Sequence, residues 1–171
     1  LGHTGVGFSI RADEVEPPRP GAPTGVFKES AMGLVGRHVP PLSRDEEKQG
    51  IAEIVRQFNR EGMTGAKDPG IGATKWELYR ELLAEGQLTV RVFALWSGAR
   101  RLEDRAAVMA RVKANPRQAG LDAGGMLVSG GVKMFMDGSG GARTAWMHTD
   151  WNKNLNEVDK GNPGYPSTEP A

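Results

Sequence analysis

The residues best suited to chemistry lie in the stretch 130–144, where an apolar segment with one lysine runs into an acidic, glycine-rich turn. Side chains alternate along a strand, so Lys133, Phe135 and Asp137 are predicted to share one face. A lysine in the middle of a strand is costly to bury unless it has an anionic partner, a neutral amine or a chemical modification. This strand is therefore the best candidate for part of an active site.

The pattern leaves three roles for Lys133 open. The first is an exposed or ion-paired lysine, since lysine is seldom fully buried. The second is a nucleophile that forms a Schiff base, because a lysine desolvated inside a barrel becomes reactive. The third is a carboxylated lysine that bridges two metal ions, since carboxylation turns the amine into an anionic carbamate with two oxygen donors.

The glycine-rich turn that begins at Asp137 is not a phosphate-binding loop. It lacks the lysine and the Ser/Thr ending of a P-loop, and its glycines do not match the dinucleotide fingerprint. A flexible turn is the simplest interpretation, although glycines also let the backbone approach a ligand, and Arg143 is placed to hold an anionic group. The three histidines, His3, His38 and His148, are too widely spaced to form a zinc site on their own.

Composition excludes several classes of protein. A net charge of +1 gives no basis for nucleic acid or an anionic membrane as partner. No apolar stretch reaches the length of a transmembrane helix, and the first residues lack the pattern of a signal peptide. The absence of cysteine fits a reducing compartment, so we expect a cytoplasmic protein, with homo-oligomers allowed. The start at Leu1 and the proline-rich close at Ala171 lead us to expect an internal fragment.

The elements that must position these residues alternate between helix and strand. Ser43 and Glu46 form a capping box that predicts a helix over 43–61, ended by Gly62. A short strand then ends in a turn at Pro69-Gly70. The remaining predictions are a helix over 75–84 capped by Thr74, a strand over 88–96, a helix over 102–114 stopped by Asn115-Pro116, and a strand over 127–136.

This alternation predicts an α/β fold with parallel strands joined by short links. Three strands cannot close a barrel, so we expect either a small open sheet or a sector of a (β/α)8 barrel, and we favour the sector. Reactive groups gather at the carboxyl ends of such strands, where Asp68, Trp96 and Asp137 are predicted to lie. We divide the chain into an irregular Gly/Pro-rich insertion over 1–42, barrel βα units over 43–150 and a loop over 151–171.

Three segments resemble one family in the expected order. Gly130-Gly-Val-Lys-Met-Phe-Met-Asp-Gly-Ser-Gly-Gly-Ala-Arg-Thr-Ala is similar to a segment of amidohydrolase family 3, in the branch of N-substituted formamide deformylase-like enzymes. Pro23-Thr-Gly-Val-Phe-Lys-Glu-Ser-Ala and Gly62-Met-Thr-Gly-Ala-Lys-Asp-Pro-Gly resemble two further elements of that family. The likeness extends from about residue 23 to residue 151.

The resemblance implies a (β/α)8 metal-dependent hydrolase that cleaves amide or related C–N bonds of a small molecule with a metal-activated water. It places Lys133 on the fourth barrel strand as a carboxylated, metal-bridging ligand, with one or two divalent ions, zinc being the expected metal. The chain would supply about strands two to four. Two other classes remain alternatives: a non-catalytic, barrel-derived binding module and a lysine-dependent lyase or aldolase.

The resemblance also leads to a set of expected site residues. We assign Asp137 a catalytic role and expect substrate contacts from Asp68, Ser139, Arg143 and Glu29. The His-x-His pair and the later histidines of the family do not occur in the chain. Since one lysine carbamate does not hold a catalytic metal by itself, we expect this fragment alone to be inactive.

Overall fold

The computed structural model describes residues 32–99, 104–116, 124–152 and 159–166, divided between two units. One unit is Leu42–Phe135, and the other joins Leu1–Pro41 to Met136–Ala171. The elements in chain order are α1 (Met32–Gly36), α2 (Arg44–Arg60), β1 (Gly65–Ile71), α3 (Ala73–Ala84), β2 (Arg91–Ser97), α4 (Arg105–Ala114) and β3 (Leu127–Lys133).

The strands of the unit Leu42–Phe135 form one parallel sheet in the order β1–β2–β3. A helix follows β1 and another follows β2, so the predicted α/β fold class is confirmed. The register pairs Lys67 with Phe93 and Ser97 with Lys133. Because parallel strands run the same way, their carboxyl ends lie along one edge of the sheet.

Helix α2 begins and ends as the sequence predicts. Ser43 is its N-cap, with a side chain that accepts a hydrogen bond from the Glu46 backbone, while the Glu46 carboxylate accepts one from the Ser43 N–H at 2.8 Å. Gly62 follows the helix with a φ of +73°, in the left-handed region that favours glycine. Arg44 of this helix forms an ion pair with Glu81 of α3.

The core lies between the helices and one face of the sheet. Trp96 of β2 is 2% exposed, and its ring centroid lies 5.3 Å from that of Trp76 in α3. The Trp96 Nε1 donates a 2.8 Å hydrogen bond to the Ser129 Oγ of β3, so both buried polar atoms have a partner. The core cluster consists of Ala52, Val55, Ile71, Trp76, Tyr79, Leu82, Leu88, Val90, Val92, Ala94, Trp96 and Leu127.

The predicted turn at Pro69-Gly70 is wrong, because β1 continues through both residues to Ile71. In the described sheet β1 is an edge strand, and an edge strand tolerates proline since its missing N–H need not bond a neighbour. A shift of register between Pro69 and Ile71 places Gly70 at a bulge with a φ of +126°.

Three other predicted boundaries are also wrong. Strand β2 begins at Arg91, not at residue 88. Helix α3 begins at Ala73 with Gly72 as its N-cap, so Thr74 lies inside the helix and does not cap it. Strand β3 ends at Lys133, not at residue 136. Its partner β2 ends at Ser97, the register partner of Lys133, so the β2–β3 ladder ends there.

The described part of the second unit contains the short helix α1 and mainly irregular chain. An isolated antiparallel bridge pairs Asp137 with Pro166. Within the described ranges, no helix combines the length and the apolar character that crossing a bilayer requires. The family-like segment over 23–31 lies outside the described residues, and the domain boundaries proposed at 42 and 150 stay predictions.

Candidate functional site

The two faces of the sheet carry different residues. Trp96 and its alternate neighbours in β2 lie on the face that packs into the core. Because side chains alternate along a strand, Phe93 and Ser97 lie on the opposite face, and the register places Lys67 and Lys133 beside them. We call this second face, defined by Lys67, Phe93, Ser97 and Lys133, the lysine face.

Lys133 is half-buried and is the last residue of β3, not a residue in the middle of a strand. Its Nζ lies 4.5 Å from the centroid of the Phe135 ring, a distance at which an ammonium is attracted to the π face. Among the described residues of 42–135, no carboxylate forms an ion pair with it. The burial cost that the sequence predicted is therefore reduced by partial exposure and by an aromatic ring.

The backbone of Lys133 is fixed by the end of the neighbouring strand. The Gly98 N–H donates a 2.8 Å hydrogen bond to the Lys133 carbonyl. A Cβ atom added at Gly98 would lie 2.9 Å from that carbonyl oxygen and 2.5 Å from the Met134 Cγ. The close approach of the two strand ends therefore requires glycine at position 98, a feature that the sequence analysis missed.

Asp68 lies in the middle of β1, so the prediction that it lies at the carboxyl end of its strand is wrong, and it bonds to helix α3. Its Oδ2 accepts a 2.8 Å hydrogen bond from the Tyr79 hydroxyl and lies 3.5 Å from the Lys75 Nζ. Burial of the phenol and, after it, the hydrogen bond to Asp68 raise the pKa of Tyr79. The substrate contact expected of Asp68 stays a prediction, and the observed contacts are internal ones that the sequence analysis missed.

A cleft of about 290 Å³ lies beside Asp68. Helix α2 provides most of its apolar wall, while β1 and α3 provide the polar groups. Its lining residues are Ile51, Ile54, Val55, Phe58, Ala66, Lys67, Asp68, Lys75, Tyr79, Val90 and Val92.

Asp137 lies beyond the end of β3, in the second unit. Strand alternation therefore does not extend to it, and the prediction that Lys133, Phe135 and Asp137 share a strand face is wrong. The Asp137 Oδ2 accepts a 2.9 Å hydrogen bond from the Trp146 backbone N–H. This bond closes the glycine-rich turn, and the catalytic role assigned to Asp137 stays a prediction.

Arg143 lies near the other end of the same turn and contacts residues further along the chain. It has a φ of +56°, which is unusual for a residue with a side chain, and its guanidinium pairs with the carboxylate of Asp159. Asp159 is 8% exposed, and the Asn162 side chain donates to the Arg143 carbonyl at 3.1 Å. The anion-holding role expected of Arg143 stays a prediction, while the observed partner is a carboxylate of the chain itself.

Ser139 takes part in the turn through side chain and backbone. Its Oγ accepts a 3.2 Å hydrogen bond from the Ala142 N–H, and its own N–H donates to the Thr144 Oγ1 at 2.9 Å. Glu29 and His3 lie outside the described residues. The structure therefore gives Asp137, Ser139 and Arg143 a shared place in one ordered turn.

A divalent metal does not fit the described residues by themselves. Among residues 32–99, 104–116, 124–152 and 159–166, no group of three or more His, Cys, Asp or Glu side chains is placed to hold an ion. Lys133 at the carboxyl edge of the sheet is the residue that carboxylation would convert into an oxygen ligand. The described chain thus offers a single predicted ligand and no complete metal centre.

Comparison with known proteins agrees with the resemblance seen in the sequence. The model of a family described as the amidohydrolase family matches residues 13–169. No curated protein matches the chain.

Two crystal structures share the fold. One is an uncharacterized metal-dependent hydrolase from Pyrococcus horikoshii OT3, with 21% identity and a TM-score of 0.61 over 86% of this chain. The other is an uncharacterized metal-dependent hydrolase from Pyrococcus furiosus, with 21% identity and a TM-score of 0.59 over 89% of this chain. The chain spans only 28% and 30% of the lengths of these two proteins. Its three parallel strands and their helices form a partial TIM-barrel sector, as predicted.

Proposed function

The chain belongs to the amidohydrolase family, and on that premise we propose that it is part of a metal-dependent hydrolase that cleaves amide or related C–N bonds in small molecules. In such hydrolases a divalent metal, here expected to be zinc, supplies an activated water. The family match supports the class of enzyme. The choice of C–N bond follows from the likeness of the segment around Lys133 to formamide deformylase-like enzymes.

The observation that carries this proposal is the position of Lys133. It ends β3 on the edge where the carboxyl ends of three parallel strands meet, which is where α/β barrels gather their reactive groups. Carbon dioxide adds to the neutral amine of a lysine, forming an N–C bond and releasing a proton, and the product is a carbamate anion. We propose that Lys133 carries this carbamate and offers its oxygen atoms as metal ligands.

The other ligands are proposed to come from beyond the described residues. A catalytic zinc site needs about three protein ligands, and no such group lies in the described part of the chain. The chain also spans less than a third of the structures it matches. We therefore propose that a longer protein completes the site and that this chain alone does not hydrolyse the substrate.

The test uses the intact protein that contains this chain, prepared with zinc and bicarbonate. Lys133→Ala is expected to lose bound metal and to lower the hydrolysis of N-formyl and N-acyl amines by about 100-fold or more, because a metal ligand is removed. Lys67→Ala is the matched control, since Lys67 lies on the same lysine face with its Nζ 5.6 Å from the Phe93 centroid. Full metal content and activity in Lys133→Ala would contradict the proposal.

A further inference from the structure

We propose that Ser97 is a positioning residue for the Lys133 carbamate, and that its hydroxyl donates a hydrogen bond to a carbamate oxygen. The inference rests on the proposed function, since it requires that Lys133 be carboxylated. Ser97 was not among the site residues expected from the sequence. It emerges from the register of the sheet, which pairs the last residue of β2 with the last residue of β3.

The two residues are neighbours on one face of the sheet. Paired residues of adjacent parallel strands lie about 4.8 Å apart and point to the same side, so Ser97 is the cross-strand neighbour of Lys133 on the lysine face. The Gly98 N–H bonds the Lys133 carbonyl at 2.8 Å and holds the two strand ends together. The backbone pairing therefore determines the spacing between Ser97 and Lys133.

The Ser97 hydroxyl is available as a donor. Ser97 is exposed, and within the described part of the chain its Oγ has no hydrogen-bond partner. On its other side, β1 contributes Gly70, which has no side chain. A Cβ atom added at Gly70 would lie 3.6 Å from the Ser97 Oγ. Ser97 therefore stands between a lysine on one neighbouring strand and a bare glycine on the other.

Carboxylation changes which neighbour Lys133 favours. The ammonium lies over the Phe135 ring, whose π face is negative and attracts cations. A carbamate is an anion, so the same ring face repels it and the side chain must find a donor elsewhere. The hydroxyl on the adjacent strand provides a charge-assisted O–H···O⁻ bond, which is stronger than a bond between neutral groups. Ser97 thus favours the carboxylated form over the free amine.

The experiment measures carbamate occupancy directly in the intact protein that contains this chain, prepared with zinc as in the test of the proposed function. The protein is titrated with ¹³C-labelled bicarbonate, and the ¹³C NMR signal of the carbamate is assigned to Lys133 by its loss in Lys133→Gln and its retention in Lys67→Gln. Ser97→Ala is expected to raise the bicarbonate concentration at half-occupancy by about five- to tenfold, through loss of a hydrogen bond to a charged group. Ser97→Thr, which keeps the hydroxyl, is expected to restore it.

The outcomes separate the inference from the function on which it rests. A Lys133 carbamate that forms equally well in Ser97→Ala would overturn the role of Ser97 and leave the proposed function standing. Absence of the signal in the unsubstituted, zinc-loaded protein at saturating bicarbonate would overturn the carbamate and the role of Ser97 together. Circular dichroism of each variant checks that the exposed substitution at position 97 leaves the fold unchanged.

Discussion

The hydroxyl of Tyr79 donates a 2.8 Å hydrogen bond to the carboxylate of Asp68, and this bond joins helix α3 to the middle of strand β1. Tyr79 is 8% exposed, and a second donor from the same helix, the Lys75 ammonium, lies 3.5 Å from the same oxygen. A buried phenol needs an acceptor, and a carboxylate beside the core needs donors, so each group compensates the other. The contact holds one βα unit of the sheet together.

Removing the phenol oxygen is expected to destabilise the unit Leu42–Phe135. Tyr79→Phe removes the stronger donor to a partly buried carboxylate, and we expect a loss of about 1–2 kcal/mol in the free energy of unfolding, measured by urea denaturation. Lys75→Met is the comparison. The Lys75–Asp68 ion pair is partly exposed, so it should contribute at most about 0.5 kcal/mol to the free energy of unfolding. A smaller loss in Tyr79→Phe than in Lys75→Met would contradict this ranking.

The raised pKa of Tyr79 predicts a stability that falls in alkali. The phenol keeps its proton more tightly in the folded chain than in the unfolded chain, where its pKa is about 10. Above that pH the unfolded state loses the proton first, so unfolding becomes easier as the pH rises. Stability is therefore expected to be retained below pH 10 and to decline above it by up to about 1.4 kcal/mol per pH unit, relative to Tyr79→Phe.

Thermal unfolding of the two proteins at a series of pH values from 9 to about 11.5 measures this decline. Tyr79→Phe serves as the control because every other titrating group is common to both chains. The gap in stability between the two is expected to narrow with rising pH. A gap that stays constant across the series would show that Tyr79 titrates alike in the folded and unfolded states.

Features determined by nearby residues were predictable from the sequence. The α2 boundaries followed from Ser43, Glu46 and Gly62, which act within a few residues of the helix ends. The parallel sheet followed from the alternation of elements. The end of β3 did not, because apolar residues continue the strand pattern past Lys133 while the neighbouring strand ends at Ser97.

Contacts between residues far apart in the sequence could not be predicted from local sequence patterns. Asp68 was expected at a strand end as a substrate contact, yet its partner Tyr79 is fixed only when α3 packs on the sheet. Arg143 was expected to hold an anion, but its partner Asp159 is 16 positions further along the chain. In both cases the expected ligand contact stays a prediction, whereas the partner within the chain could be identified only from the fold.

A bulge in β3 at Gly130 places the Phe93 ring against the backbone of a residue that has no side chain. The register shifts between Ala94 and Leu95, and the Phe93 ring lies where a Cβ atom of Gly130 would be. Gly130→Ala therefore forces the ring aside, and we expect a loss of about 1–3 kcal/mol in the free energy of unfolding. The measurement is chemical denaturation of the substituted and unsubstituted chains.

Gly65→Ala is the matched control for Gly130→Ala. It also places alanine in a strand, but the added Cβ atom would lie 3.6 Å from the Arg91 Cβ, an ordinary contact. We expect its effect to stay within about 0.5 kcal/mol. The double change Gly130→Ala with Phe93→Leu should lose less than the sum of the two single changes, because the smaller side chain leaves room for the new methyl group. If the losses of the two single variants simply add in the double variant, the Phe93 ring is not the cause of the loss in Gly130→Ala.

The turn from Asp137 to Thr144 depends on the pairing of Arg143 with Asp159. Within the turn, the Arg143 N–H donates to the Gly140 carbonyl at 3.1 Å, and the Thr144 N–H donates to the Ser139 carbonyl at 3.0 Å. These two amides are expected to be protected from hydrogen exchange for as long as the ion pair fixes Arg143 in its left-handed conformation.

Arg143→Ala leaves the Asp159 carboxylate, 8% exposed, without its guanidinium, which favours opening of the turn. Because Arg143 itself is a third exposed, we expect a loss of about 1–3 kcal/mol in local opening free energy. This loss corresponds to about 5- to 150-fold faster hydrogen exchange of the backbone amides at positions 143 and 144. Arg143→Lys, which keeps the charge, should lose less of the local opening free energy.

Trp76 in the other unit provides an internal reference, since its amide should exchange at an unchanged rate. Equal exchange of the turn in Arg143→Ala and the unsubstituted chain would show that the ion pair does not hold it.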